Sequence, residues 1–140
     1  MLQIVLDTNV FIAALRSPRG ASYQVLKLLD TGRFDLHISV PLVLEYETVA
    51  LRQLDDLPIA SSDVDDVLDY ICRVGIAHEV FYNWRPFLHD ADDDMVLEIA
   101  VASGSDAIVT FNKRDFRGSE QFGLRLLTPA ELLKEIGVLK

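Results

Sequence analysis

Four stretches of the chain carry oxygen donors in places where chemistry can use them. Asp7-Thr8-Asn9 interrupts the apolar run of residues 4 to 15 with no turn-sized polar loop around it. Glu45 lies three residues after Leu42 and four before Val49, so on a helix it points to the same side as apolar neighbours. His89-Asp90-Ala91-Asp92-Asp93-Asp94 crowds four carboxylates into five positions, where mutual repulsion is costly without a cation. Asn112-Lys113-Arg114-Asp115 follows the apolar segment Ala107-Ile108-Val109-Thr110. Each stretch also has a plain structural reading: Asp7 as a helix cap, Glu45 on the surface of a slightly rotated helix, the acidic run as a solvated loop or helix start. Taken together they suit a divalent ion. Asp7, Glu45 and one of Asp93 or Asp94 are hard oxygen donors of the kind that Mg²⁺ takes in small number while keeping several waters. Such an ion activates water and steadies a phosphodiester oxyanion.

The elements that must position these residues alternate in type. Residues 2 to 6 read as a strand buried on both faces, and helical spacing follows from Val10 to Leu15. Tyr23, Val25, Leu26, Leu28 and Leu29 predict a second helix stopped at Thr31-Gly32, and Phe34, Leu36 and Ile38, alternating with Asp35 and His37, predict a short strand. Pro41 opens a helix over about 41 to 53. Ser62 opens another whose stripe is Val64, Val67, Leu68 and Ile71, with Asp63, Asp65 and Asp66 serving its N-terminal turn. A strand over 76 to 82, a nearly all-apolar and hence buried helix over 93 to 104, and strands at 107 to 110 and 124 to 127 come next. Thr128-Pro129-Ala130-Glu131 starts a final helix that Gly137 ends. Strands alternating with helices define an α/β class, an α/β/α sandwich on a mainly parallel sheet, expected to form one domain over 1 to 140. Ligands of open parallel sheets bind beyond the carboxyl ends of the strands, so Asp7 and the 112 to 115 segment face one cleft if their strands are neighbours.

Composition limits the partners. Half of the 140 residues are hydrophobic, which suits a globular core, and no apolar stretch reaches membrane-spanning length. Met1-Leu2-Gln3 lacks the features of a signal peptide, so a cytoplasmic protein with no membrane partner is expected. Cys72 sits in an apolar helical pattern and reads as core filler. His37, His78 and His89 are scattered without zinc-ligand spacing and are assigned no role, while Tyr82 and Trp84 read as packing residues. The net charge of -9 argues against holding nucleic acid by general attraction, so any such role must be local.

The stretches IVLDTNVFIAAL, ISVPLVLEYETV and DADDDMVLEIAVASGSDAIVTFNKRDF, in this order and spacing, resemble PIN-domain proteins over nearly the whole chain. Within that family they are most like the toxin branch related to VapC ribonuclease toxins. The resemblance implies a PIN-like sandwich and a Mg²⁺- or Mn²⁺-dependent endoribonuclease that cleaves single-stranded RNA, with a homodimer and a cognate antitoxin as partners. It places the family acids on Asp7, Glu45 and either Asp93 or Asp94, with Thr8 and Asn9 in support and Asp90 and Asp92 as outer candidates. The fourth acid falls on Asn112, which keeps an oxygen but loses a charge, and Asp115 is the residue able to compensate. Lys113 and Arg114, with Arg16, Arg19 and Arg117, are the candidates for phosphate contacts. Two other readings remain open: an aspartate-dependent phosphotransfer enzyme with Asp7 as nucleophile, and a non-catalytic PIN-like module that acts through a protein partner.

Overall fold

The computed structural model describes residues 1–80 and 91–139, with backbone alone at 91 and 92. Along the chain run β1 (Leu2–Leu6), α1 (Thr8–Arg16), α2 (Ala21–Lys27), β2 (Phe34–Ser39), α3 (Val40–Arg52), α4 (Ser61–Val74), β3 (Ile76–His78), α5 (Ala91–Ala102), β4 (Ala107–Val109), β5 (Arg125–Leu127) and α6 (Pro129–Glu135). All pairings are parallel, in the order β3-β2-β1-β4-β5. The steps from β1 to β2 and from β2 to β3 go one way, and the step to β4 returns across β1. Right-handed crossovers therefore put α1 to α4 on one face and α5 on the other. This makes the sandwich expected from the sequence, and β1 is its centre. Ile4, Val5 and Leu6 have no exposure, nor do Leu97, Ala100, Ile108 and Val109. A strand hydrogen-bonded on both edges and covered on both faces has only apolar positions to offer.

Local chemistry sets the ends of the elements. Asp63 accepts a hydrogen bond from the Ala60 N–H at the start of α4, the structural role expected of it. Thr128 and Glu131 exchange side-chain and backbone bonds of 2.8 and 3.1 Å, a capping box that opens α6. Among the described residues no helix is long and apolar enough to cross a membrane.

Several expectations are corrected. The second helix stops at Lys27 rather than at Thr31-Gly32, where the chain is in turns. The third strand ends at His78, and its expected residues 81 and 82, like Trp84 and His89, lie outside the described residues. Cys72 is exposed rather than core: the buried stripe of α4 is Val64, Leu68 and Ile71, and Cys72 is one position off it. His37 and His78 are in contact rather than scattered, with Nδ1 of His37 2.7 Å from Nε2 of His78.

That contact belongs to a polar chain across the first three strands of the sheet. Gln3 donates through Nε2 to Asp35 at 2.9 Å, and its Oε1 lies 2.5 Å from Nε2 of His37. An amide oxygen only accepts, so Nε2 of His37 carries the proton, Nδ1 accepts, and His78 donates. A second proton on His37 would meet the His78 N–H. Burial, and then the neighbouring His78, hold the His37 pKa below its ordinary 6.5, against the opposing pull of Asp35 and Asp106. With the folded value below the unfolded one, the unfolded chain binds more protons in the interval between them. Stability is therefore lost as pH falls through that interval. Urea midpoints at about pH 7.5 and 5.5 should differ in that direction, and the difference should shrink in His37→Gln. An equal difference in the variant would remove His37 as the cause.

Candidate active site

The site begins where β1 runs out. The Asp7 N–H still pairs with Val109 O at 2.9 Å, so its side chain leaves the sheet at the carboxyl ends of β1 and β4, the point where the strand order reverses. Asp7 is only 6% exposed. A buried carboxylate needs donors, and it has them: the Thr8 N–H reaches Oδ1 at 2.8 Å and the Thr110 hydroxyl reaches Oδ2 at 2.7 Å. Thr110 is fully buried, and its Oγ1 also accepts the Asn112 N–H at 2.9 Å. One hydroxyl thus joins Asp7 to the loop that carries Asn112. The structure brings these two sequence candidates together.

Glu45 is half-buried on α3, and its neighbour Tyr46 is fully buried. The Tyr46 hydroxyl donates to the Leu6 carbonyl, and its ring stacks on Phe11 of α1 at 4.8 Å and 15°. Burial, and secondarily the charge of Asp7, push the Tyr46 pKa well up, so the hydroxyl keeps its proton and remains a donor. The helix expected over 93 to 104 runs two residues earlier at each end, so Asp92 joins Asp93 and Asp94 in the first turn of α5, where a helix N-terminus stabilises carboxylates. Asp93 is half-buried and Asp94 fully buried. Asp90 lies outside the described residues.

Thr8 and Asn9 begin α1, and the Asn9 Oδ1 is buried without a hydrogen-bond partner. Asn112, Lys113, Arg114 and Asp115 are exposed and line a cavity of about 380 Å³ together with Phe111. Lys113 pairs with Glu131 at 2.6 Å, and this bond, with the Thr128 N–H, holds the Glu131 carboxyl below the usual range. Arg114 has no such bond to a described residue. Arg19 and Arg117 are exposed, and Arg16 is spent on Gln53 at 2.9 Å.

Sequence reasoning reads Thr110 only as a strand end, and it passes over Tyr46 and Glu98. Glu98 is nearly buried one helical turn after Asp94. The signal for it was there: two acids at i and i+4 inside an otherwise apolar helix. The donors are all hard oxygens, which fits Mg²⁺ or Mn²⁺ rather than a thiol- or imidazole-seeking metal. Among the described residues no three His, Cys, Asp or Glu side chains gather closely enough to form a metal-binding group by themselves. Mg²⁺ does not demand three, since one or two carboxylates with retained waters suffice.

An open parallel sheet with a buried acid at its switch point defines a doubly wound α/β protein with a polar crevice at the strand ends. The chain belongs to the PIN domain family, whose model matches residues 3–114. No curated protein matches it in sequence. Its fold is similar to a chain in the crystal structure of VapBC2 from Rickettsia felis bound to a DNA fragment from their promoter, with a TM-score of 0.61 and 16% identity over 89% of this chain and 98% of that one.

The Tyr46 bond supplies a test of how the site is built. Tyr46→Phe leaves the Leu6 carbonyl buried without this donor and should cost about 1 to 3 kcal/mol in urea unfolding. A change within error would mean that the bond does not hold the strand end to α3.

Proposed function

We propose that this chain is a metal-dependent endoribonuclease of the PIN type, the toxin component of a type II toxin-antitoxin system, which cleaves single-stranded RNA. PIN domains are generally nucleases, and their nucleases typically use divalent metals. The observation that carries the reading is Asp7: a buried carboxylate at the switch point, held by Thr8 and Thr110 and joined through the Thr110 hydroxyl to the loop whose cavity carries Lys113 and Arg114. Asp7, Glu45 and Asp93 or Asp94 would hold Mg²⁺ or Mn²⁺, with Asn112 and Asp115 at the margin. A bound ion supplies Lewis acidity and a water of lowered pKa. Thr110 fixes the direction of the Asp7 oxygens, Thr8 and Asn9 shape the helix start beneath them, and Lys113 and Arg114 meet phosphate.

The proposal includes a single domain over 1 to 140, a cytoplasmic setting, a homodimer and an antitoxin partner. Val40 and Leu44 are 70% and 54% exposed on α3, beside a cavity of about 280 Å³ lined by Ile38, Val43 and Ala77. An apolar face of this kind supports a protein partner. The absence of a second aspartate two residues after Asp7, where Asn9 stands, disfavours its use as a phosphotransfer nucleophile. Asn112 in place of an acid favours a second reading as a non-catalytic module acting through its partner.

Cleavage of an end-labelled single-stranded RNA with Mn²⁺, and with EDTA in its place, decides between these readings. The wild type should cleave only with metal, and Asp7→Asn should lose more than about 100-fold. Excess Mn²⁺ should also raise the wild-type melting temperature, by the equivalent of about 2.7 kcal/mol at 100 times the dissociation constant, and leave Asp7→Asn unchanged. A folded wild type that shows neither response refutes the nuclease and leaves the binding module.

A further inference from the structure

Phe111 is 49% exposed, on the residue between Thr110, whose hydroxyl holds Asp7, and Asn112, whose N–H is held by that same hydroxyl. A large ring left in water on the residue after the one that holds a buried acid is unexplained by packing. The loop that carries it is well anchored. Phe116 is fully buried, the Asp115 N–H closes a turn on Asn112 O at 3.0 Å, and Lys113 is tied to Glu131 at the start of α6. The ring is therefore presented on a fixed turn, so little ordering is needed to use it. In the same cavity stands Arg114, whose guanidinium makes no hydrogen bond or ion pair to a described residue.

We propose that Phe111 and Arg114 form a nucleotide subsite next to the carboxylate centre, in which the ring stacks an unpaired nucleobase and the guanidinium meets an adjoining phosphate. The proposal rests on the nuclease reading only for the identity of the polymer. Every base has a face that stacks on an aromatic ring, so the subsite tolerates sequence, whereas a duplex hides those faces in its own stack. Selection for single strands then has a physical source in this chain. The arrangement also answers the charge problem: a protein of net charge -9 repels a polyanion overall, so its grip must combine a local cation with an uncharged contact.

The test is fluorescence anisotropy of a labelled short single-stranded RNA and of its duplex, with the full chain, in EDTA and in Ca²⁺. The wild type should bind the single strand more tightly. Phe111→Ala should weaken that binding about tenfold or more and leave duplex binding unchanged, Phe111→Trp should restore it, and Phe111→Leu, equally apolar, should not. Arg114→Ala should lower the salt slope by about one. Tyr23→Ala removes an exposed aromatic from α2 and should bind as the wild type does. Unchanged single-strand binding in Phe111→Ala, full binding by Phe111→Leu, an equal loss in Tyr23→Ala, or no binding by the wild type would each overturn the subsite. Binding that depends on Phe111 without cleavage in Mn²⁺ refutes the nuclease and keeps the subsite. Cleavage and binding both indifferent to Phe111 do the reverse.

Discussion

A carboxylate with 6% exposure at the end of the central strand is the constraint around which the crevice is organised. Unpaired, such a group is expensive to bury, and the two bonds it receives come from different parts of the chain. Thr8 is its neighbour on α1, but Thr110 stands at the end of β4, and its hydroxyl reaches Asp7 only because Leu6 and Val109 are register partners. That pairing in turn requires the crossover from β3 over the far face through α5, which accounts for the apolar character of that helix. A slip of one residue between β1 and β4 would turn Thr110 to the other face and leave Asp7 without that donor. Sheet register and site geometry are here the same fact.

Tyr46 ties the remaining side of the crevice to the same strand. Its hydroxyl caps the carbonyl of Leu6 and its ring lies on Phe11, so α1, α3 and the end of β1 meet at one fully buried side chain. Glu45 is the next residue back along α3. Whatever Glu45 does, its backbone position is set by this contact rather than by its own charge, and rigid support of this sort is what a polar crevice needs when its charges repel one another.

The main elements were legible because they are periodic. The both-faces-apolar β1, the Val64–Leu68–Ile71 stripe and the Thr128–Glu131 box each announce themselves locally. Asp7 was legible for the opposite reason, as a charge where the pattern wants none. What escaped was settled by register and rotation. The contact between His37 and His78 depends on β3 lying beside β2, with Ser39 opposite His78, and no spacing rule links positions that far apart in sequence. Cys72 was misplaced by one step around a helix, enough to take it from core to surface. The helix through the acidic run was placed two residues late, at 93 rather than 91, because carboxylates suit both a loop and a first turn.

Asn112 is where charge and support meet. In the nuclease reading an acid at this position would add a further negative group to a crevice already holding Asp7, with Asp94 and Glu98 buried on α5. Repulsion grows with each such group, and so does the attraction for a divalent ion. An amide keeps the oxygen donor and lowers both together, so the empty crevice is less strained and its hold on the ion weaker. The backbone of Asn112 is nevertheless fastened through Thr110 to Asp7 as firmly as an acid's would be. In that reading the amide changes the electrostatics of the crevice without loosening its frame, and it leaves more of the work of meeting a phosphate to the cations that follow it, Lys113, anchored by Glu131, and Arg114.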